Sequence, residues 1–254
     1  MSNMELTKLT DKWFSLASDL RNRCLSLVIE TPLQAACSLE ESPDLFAALL
    51  FCRTITNFKG AIILLQQDRI IEAQTVQRSC FENSLWLRRL AHEGVAFAKA
   101  ISDDGLFNEA KFAQLLIPAV TDEITREQCN EHIRLGKGHK RVDTKGPQTL
   151  DGATEDYTEF RRLSLSAAHP SSTSLIRHLT KNPETDEFEI TVEVPEDERE
   201  IITNIYFTIT AMMHTLNSFI ECVSSINGEK IRNEMAARIV SLVEETGLSE
   251  IIHD

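Results

Sequence analysis

Residues 42–67 read SPDLFAALLFCRTITNFKGAIILLQQ. Ser42, Pro43 and Asp44 form a helix start, with an N-cap hydroxyl, a proline in the first turn and an acid at the positive end of the dipole. The residues that follow are apolar on most sides, the pattern of a helix enclosed by neighbours rather than laid on a surface. A chain that encloses one such helix must supply several others around it.

The flanking sequence supplies them. Leu6, Leu9, Trp13, Leu16, Leu20 and Leu27 repeat at helical spacing over residues 5–30. Residues 69–92, after Asp68, carry apolar residues on two flanks, Val76, Cys80 and Leu87 on one and Ile71, Phe81 and Leu85 on the other. That distribution predicts a central helix packed between neighbours. Shorter helices are expected at 93–102, 106–117 and 121–135, then a glycine-rich loop without periodicity at 136–153. A helix follows that should end near His169, because a residue before proline avoids the helical region. Ser171 and Ser172 suit the start of a short helix over SLIRHL.

Residues 187–194, EFEITVEV, alternate like a strand, with no second strong strand to pair with. Pro195 and EDERE open a long helix that should close at Asn227-Gly228, and a last amphipathic helix is expected over 229–246. The expected fold is all-α: one multi-helix bundle over residues 1–254, with a short strand or strap near 187–194.

Nine glycines and seven prolines are too few for a protein that turns every ten residues or so. A net charge of −13 argues against affinity built on broad phosphate neutralisation, though not against a local basic site. The six cysteines show no CxxC pair, which suits reduced, mostly buried thiols in a cytoplasmic protein. The first residues lack an export signal. The apolar stretch 201–223 is interrupted by Asn204, Thr208, Thr210, His214, Asn217 and Glu221, so it reads as a bundle helix and not a membrane span. No His-x-x-x-His or Glu-x-x-His pair, P-loop or G-x-S-x-G elbow occurs, and neither a metal nor another cofactor is expected.

Reactive side chains concentrate in residues 157–173, YTEFRRLSLSAAHPSST. Helical spacing puts Glu155, Arg162, Ser166 and His169 on one polar stripe, with Phe160, Leu163 and Ala167 opposite. His169 would stand between the C-terminus of one helix and the N-terminus of the next, where an anion is welcome. Arg78 and Glu82, four apart among Ile71, Phe81 and Leu85, read as a buried ion pair that holds the bundle or orients a polar site. The loop 134–145 gathers Arg134, Lys137, His139, Lys140, Arg141 and Lys145, a basic flap able to contact phosphates or an ordinary solvated loop. His214 reads as a core histidine with one hydrogen-bond partner. Arg162 and His169 are spaced as in the R-x(4–6)-H signature, and so are Arg126 with His132 and Arg134 with His139.

Arg78-Ser79-Cys80-Phe81-Glu82, together with Tyr157 and Ser166-x-x-His169-Pro170-Ser171-Ser172, resembles a family of bacterial helical proteins of unknown function over about residues 45–225. The resemblance implies a shared polar cluster of Arg78, Glu82, Tyr157, Ser166 and His169. The R-x(4–6)-H spacing resembles HEPN-type helical ribonucleases, whose kinship implies His169 as general base and Arg162 as stabiliser of phosphate charge. Two readings follow. The first is a module that binds a partner protein or an anion around an internal polar cluster. The alternative is a metal-independent ribonuclease, a toxin or phage-defence effector, acting on RNA as a homodimer.

Overall fold

The computed structural model describes residues 3–33, 42–142, 150, 152–167, 175–182, 184–191 and 197–248. Among the described residues the long helices are α1 (Asn3–Glu30), α2 (Pro43–Leu65), α3 (Ile70–Glu93), α4 (Val95–Leu116), α5 (Glu123–Leu135), α6 (Ala153–Ser166), α7 (Glu198–Val223) and α8 (Ile226–Thr246). The protein is an all-α, multi-helix bundle with one short strand pair.

The core follows from the apolar faces. α2, α3 and α7 pack against one another, α1 closes over α2 and α7, and α8 covers α1 and α7. Phe51 of α2 stacks on Phe219 of α7 with ring centres 4.4 Å apart, and Trp13 of α1 meets Tyr206 of α7 edge-on at 6.0 Å. α2 is long and apolar enough to cross a membrane by length and composition, with a mean hydropathy of 1.5. Its Phe46, Phe51, Ile55, Phe58, Ile62 and Leu65 are nonetheless buried within the bundle. Its opposite face, with Leu49, Cys52, Arg53, Thr56, Lys59 and Ile63, is exposed, so α2 is enclosed on one side and not, as its sequence suggests, on most.

Some of the polar groups inside this core pair across helices, while Trp13 Nε1, Asn83 Nδ2 and Ser218 Oγ are buried without a hydrogen-bond partner among the described residues. Gln74 Nε2 donates to Asn204 Oδ1 at 3.1 Å, and Gln77 Nε2 to the Asn204 carbonyl at 3.2 Å, tying α3 to α7. The buried hydroxyls of Thr208 and Thr215 donate one turn back to the carbonyls of Asn204 and Ala211. This back-bonding satisfies a hydroxyl without a second helix. Cys24, Cys80 and Cys129 are buried, Cys222 is half-buried and Cys52 exposed, all as free thiols. Burial pushes the Cys80 thiol up to about 12. Burial first, then the Glu221 and Asp44 carboxylates, does the same for Cys222.

The structure corrects several boundaries. The helices expected at 93–102 and 106–117 are one, because α4 runs through Gly105 and is held along its length by α5. Of the short helix expected over 174–179, Leu175 and Ile176 are helical, and a turn at 177–178 leads into strand β1 (Leu179–Lys181). β1 pairs antiparallel with β2 (Phe188–Ile190), putting Leu179 opposite Ile190 and Lys181 opposite Phe188. The expected strand therefore does have a partner. Asn182 makes the turn, its Oδ1 accepting from the Glu184 amide at 2.9 Å.

The long helix stops at Val223, where Ser224 turns left-handed with φ of +52°, and α8 restarts at Ile226. Ser225 caps α8 by accepting from the Gly228 amide at 3.1 Å. Gly228 is thus inside α8 and not a helix end. A Cβ there would stand 2.6 Å from Ile220 Cγ1, so its smallness lets α8 approach α7.

Candidate functional site

α6 lies along α3, and the sequence-predicted residues meet on that seam. Arg78 Nε donates to Ser164 Oγ at 2.8 Å, and the guanidinium lies 4.4 Å from the centre of the Phe160 ring. Its NH1 is 3.5 Å from a Glu82 carboxylate oxygen. The pair is half-buried and not enclosed, with side chains 27% and 30% exposed, because α6 covers only one side of it. Tyr157 joins indirectly, its ring 6.3 Å from that of Phe160.

The rest of the expected stripe separates. Arg162 is exposed; its Nε donates to Glu159 at 2.7 Å and its guanidinium lies over Phe207 of α7 at 5.5 Å. Ser166 Oγ is enclosed without a hydrogen-bond partner among the described residues. α6 ends at Ser166, earlier than expected, with Ala167 as its C-cap. His169 and Ser172 lie outside the described residues, so their place in the cluster implied by the resemblance does too.

A second cluster occupies the same seam nearer the start of α6, and the sequence reading did not anticipate it. Asp156 is fully buried. One of its carboxylate oxygens accepts from the Ser84 hydroxyl at 2.7 Å and lies 3.7 Å from Arg88 NH2, both residues being on α3. The other oxygen lies 2.5 Å from Nδ1 of His214 on α7. One carboxylate therefore ties three helices together.

Local sequence explains the arrangement. Gln77, Phe81, Ser84 and Arg88 follow a helical period and face α6 and α7, away from the flank of Arg78 and Glu82. Gly152, with φ of +69°, enters α6 so closely that a Cβ would stand 2.7 Å from Arg88 NH1. The left-handed backbone is what calls for glycine at 152, since the end of the flexible Arg88 side chain could shift aside.

His214, read as a core residue with one partner, has that partner in Asp156, but it also reaches a surface. Its side chain is 30% exposed and lines a cleft of about 330 Å³ between α6 and α7. Among the described residues no group of His, Cys, Asp and Glu is arranged to hold a metal ion.

The basic segment after α5 is less free than a solvated loop. His139 Nδ1 lies 2.9 Å from Asp103, and the Val142 amide donates to Asp104 at 2.7 Å, which fastens residues 139–142 to α4. His139, Lys140 and Arg141 line a groove of about 300 Å³ with Arg89 and Asp103. Lys137 sits in the turn after α5 and is not among the groove residues. Of the other spaced pairs, Arg134 is held by Glu131 at 2.5 Å, and His132 Nδ1 lies 3.2 Å from Glu109.

No curated protein and no solved structure matches the chain. A match to a family of unknown function (DUF5677) runs from residue 44 to residue 188. It takes in α2 to β2, and with them Arg78, Glu82, Ser84, Arg88, Asp156 and Tyr157, while His214 and all of α7 lie beyond it. As the match spans more than half of the chain, the protein belongs to this family.

Proposed function

We propose that the protein is a helical binding module whose ligand is an anion, taken up in the groove between α4 and residues 138–142. The observation that carries this reading is the tethering of a basic segment in a chain of net charge −13: Asp103 and Asp104 hold His139 and Val142, so Lys140 and Arg141 stand beside Arg89 in one groove. Gathered cations on a fixed backbone favour phosphate or carboxylate groups. The Arg78 and Asp156 clusters act in this reading as the internal scaffold. The module works in the cytoplasm, alone, as a homodimer or with a partner protein.

Titration with inorganic phosphate and with a short single-stranded RNA, followed by calorimetry, tests it. Binding should weaken as salt rises and fall by about tenfold or more (1.4 kcal/mol) in Lys140→Glu/Arg141→Glu. Equal binding by that variant, or none by either protein, contradicts it.

A metal-independent ribonuclease of HEPN type is the second reading, favoured by the exposed Arg162 guanidinium beside the α6–α7 cleft. RNA cleaved in EDTA by the wild type, but not by Arg162→Ala, would put it ahead of the first.

A further inference from the structure

The cleft between α6 and α7 has a chemistry opposite to that of the basic groove. Tyr206 and Phe207 give it aromatic surface over the buried Phe81, and Glu155, Thr210 and His214 supply polar groups. Tyr206 and Phe207 meet edge-on at 5.6 Å, which fixes both rings. No lysine or arginine is among the residues that line it. The nearest guanidinium, that of Arg162, is held by Glu159.

His214 is the group with capacity left over. Asp156 takes its Nδ1, and a carboxylate there selects the tautomer with the proton on Nδ1. Nε2 then carries a lone pair and has no partner among the described residues. Asp156 has nothing further to offer a ligand, since Ser84, Arg88 and His214 already surround it. Glu155, exposed on the cleft wall, has no ion-pair partner among the described residues. A ligand entering here meets aromatic faces, one hydrogen-bond acceptor and one unpaired carboxylate.

We propose that this cleft is a second binding site, specific for a small organic amine in its ammonium form with an aromatic or apolar body. The body lies against Tyr206 and Phe207, an ammonium N–H donates to His214 Nε2, and Glu155 answers the charge. The apolar walls raise the strength of both polar contacts by excluding water. This site is independent of the anion groove, and either can fail alone.

Benzylamine is the probe, with benzoate and benzyl alcohol as comparators, followed by calorimetry and by the ¹⁵N resonances of the His214 ring. Benzylamine should bind saturably and move the Nε2 resonance, whereas benzoate should do neither. Glu155→Gln, a surface change, should weaken benzylamine several-fold, and Arg141→Glu should leave it unchanged. His214→Phe, which keeps a ring but no acceptor, should abolish binding if it folds. Benzoate binding as well as benzylamine, an Nε2 resonance that stays still, or an unaffected Glu155→Gln overturns the proposal.

Discussion

At one end of the α3–α6 seam, Arg78, Glu82 and Ser164 form a polar cluster that still touches water; at the other, Asp156, Ser84, Arg88 and His214 form one around a carboxylate with none. Both join α3 to α6, the first through Arg78 and the Ser164 hydroxyl, the second through Ser84, Arg88 and the Asp156 carboxylate. They differ in dielectric. Solvent screens the Arg78–Glu82 pair and can replace either partner, so the pair contributes little by itself. A buried carboxylate has no such recourse, and each of its three partners is needed to offset its desolvation. The exposed cluster therefore tunes the seam, while the enclosed one fixes where α6 seats against α3 and His214 of α7.

The sharpest way to break this comparison is to remove the buried acid. Asp156→Ala removes the carboxylate that Ser84, Arg88 and His214 share and should cost about 3–5 kcal/mol, read as a large drop in urea midpoint and Tm. A loss no greater than that of Arg78→Ala would erase the distinction. Gly152→Ala comes next. Its left-handed backbone, with φ of +69°, should cost about 1–3 kcal/mol in the same assay.

Arg78→Ala loses a hydrogen bond to Ser164 and the stacking on Phe160, about 1–2 kcal/mol together. Glu82→Gln should stay within about 1 kcal/mol of wild type. The smallest effect lies outside the seam. The Thr125 amide donates to Asp122 at 2.8 Å and holds its carboxyl below the ordinary carboxylate range. A lowered folded-state pKa gives stability that is present above the unfolded value and lost as pH falls through the folded one. Amides in the first turn of α5 should lose hydrogen-exchange protection as the pH falls through that lowered value.

The sequence disclosed the helices because their apolar spacing reports burial directly, as in α2 and α3. It disclosed Arg78 and Glu82 as a pair for the same reason, since four residues is one helical turn. It did not disclose their half-exposure, which depends on how much of α3 the later α6 covers. Asp156 was hidden because an acid in a first turn reads as complement to the helix dipole, next to Glu155. The available signal was the face of α3 that presents Ser84 and Arg88 in register with buried Gln77 and Phe81. The alternation of residues 187–194 misled in another way. Phe188 and Ile190 are 70% and 82% exposed, so that period reflects strand geometry without a core face behind it. β1 escaped notice because three residues, Leu179–Lys181, are too short to show a period.

The enclosed carboxylate and its imidazole can be read directly from the His214 ring nitrogens by ¹H–¹⁵N NMR, at a pH where the ring is neutral. The proton should reside on Nδ1, with a downfield signal that Asp156→Asn removes, and Nε2 should be bare. A proton on Nε2, or a spectrum indifferent to Asp156→Asn, would show that Asp156 does not hold His214 toward the cleft.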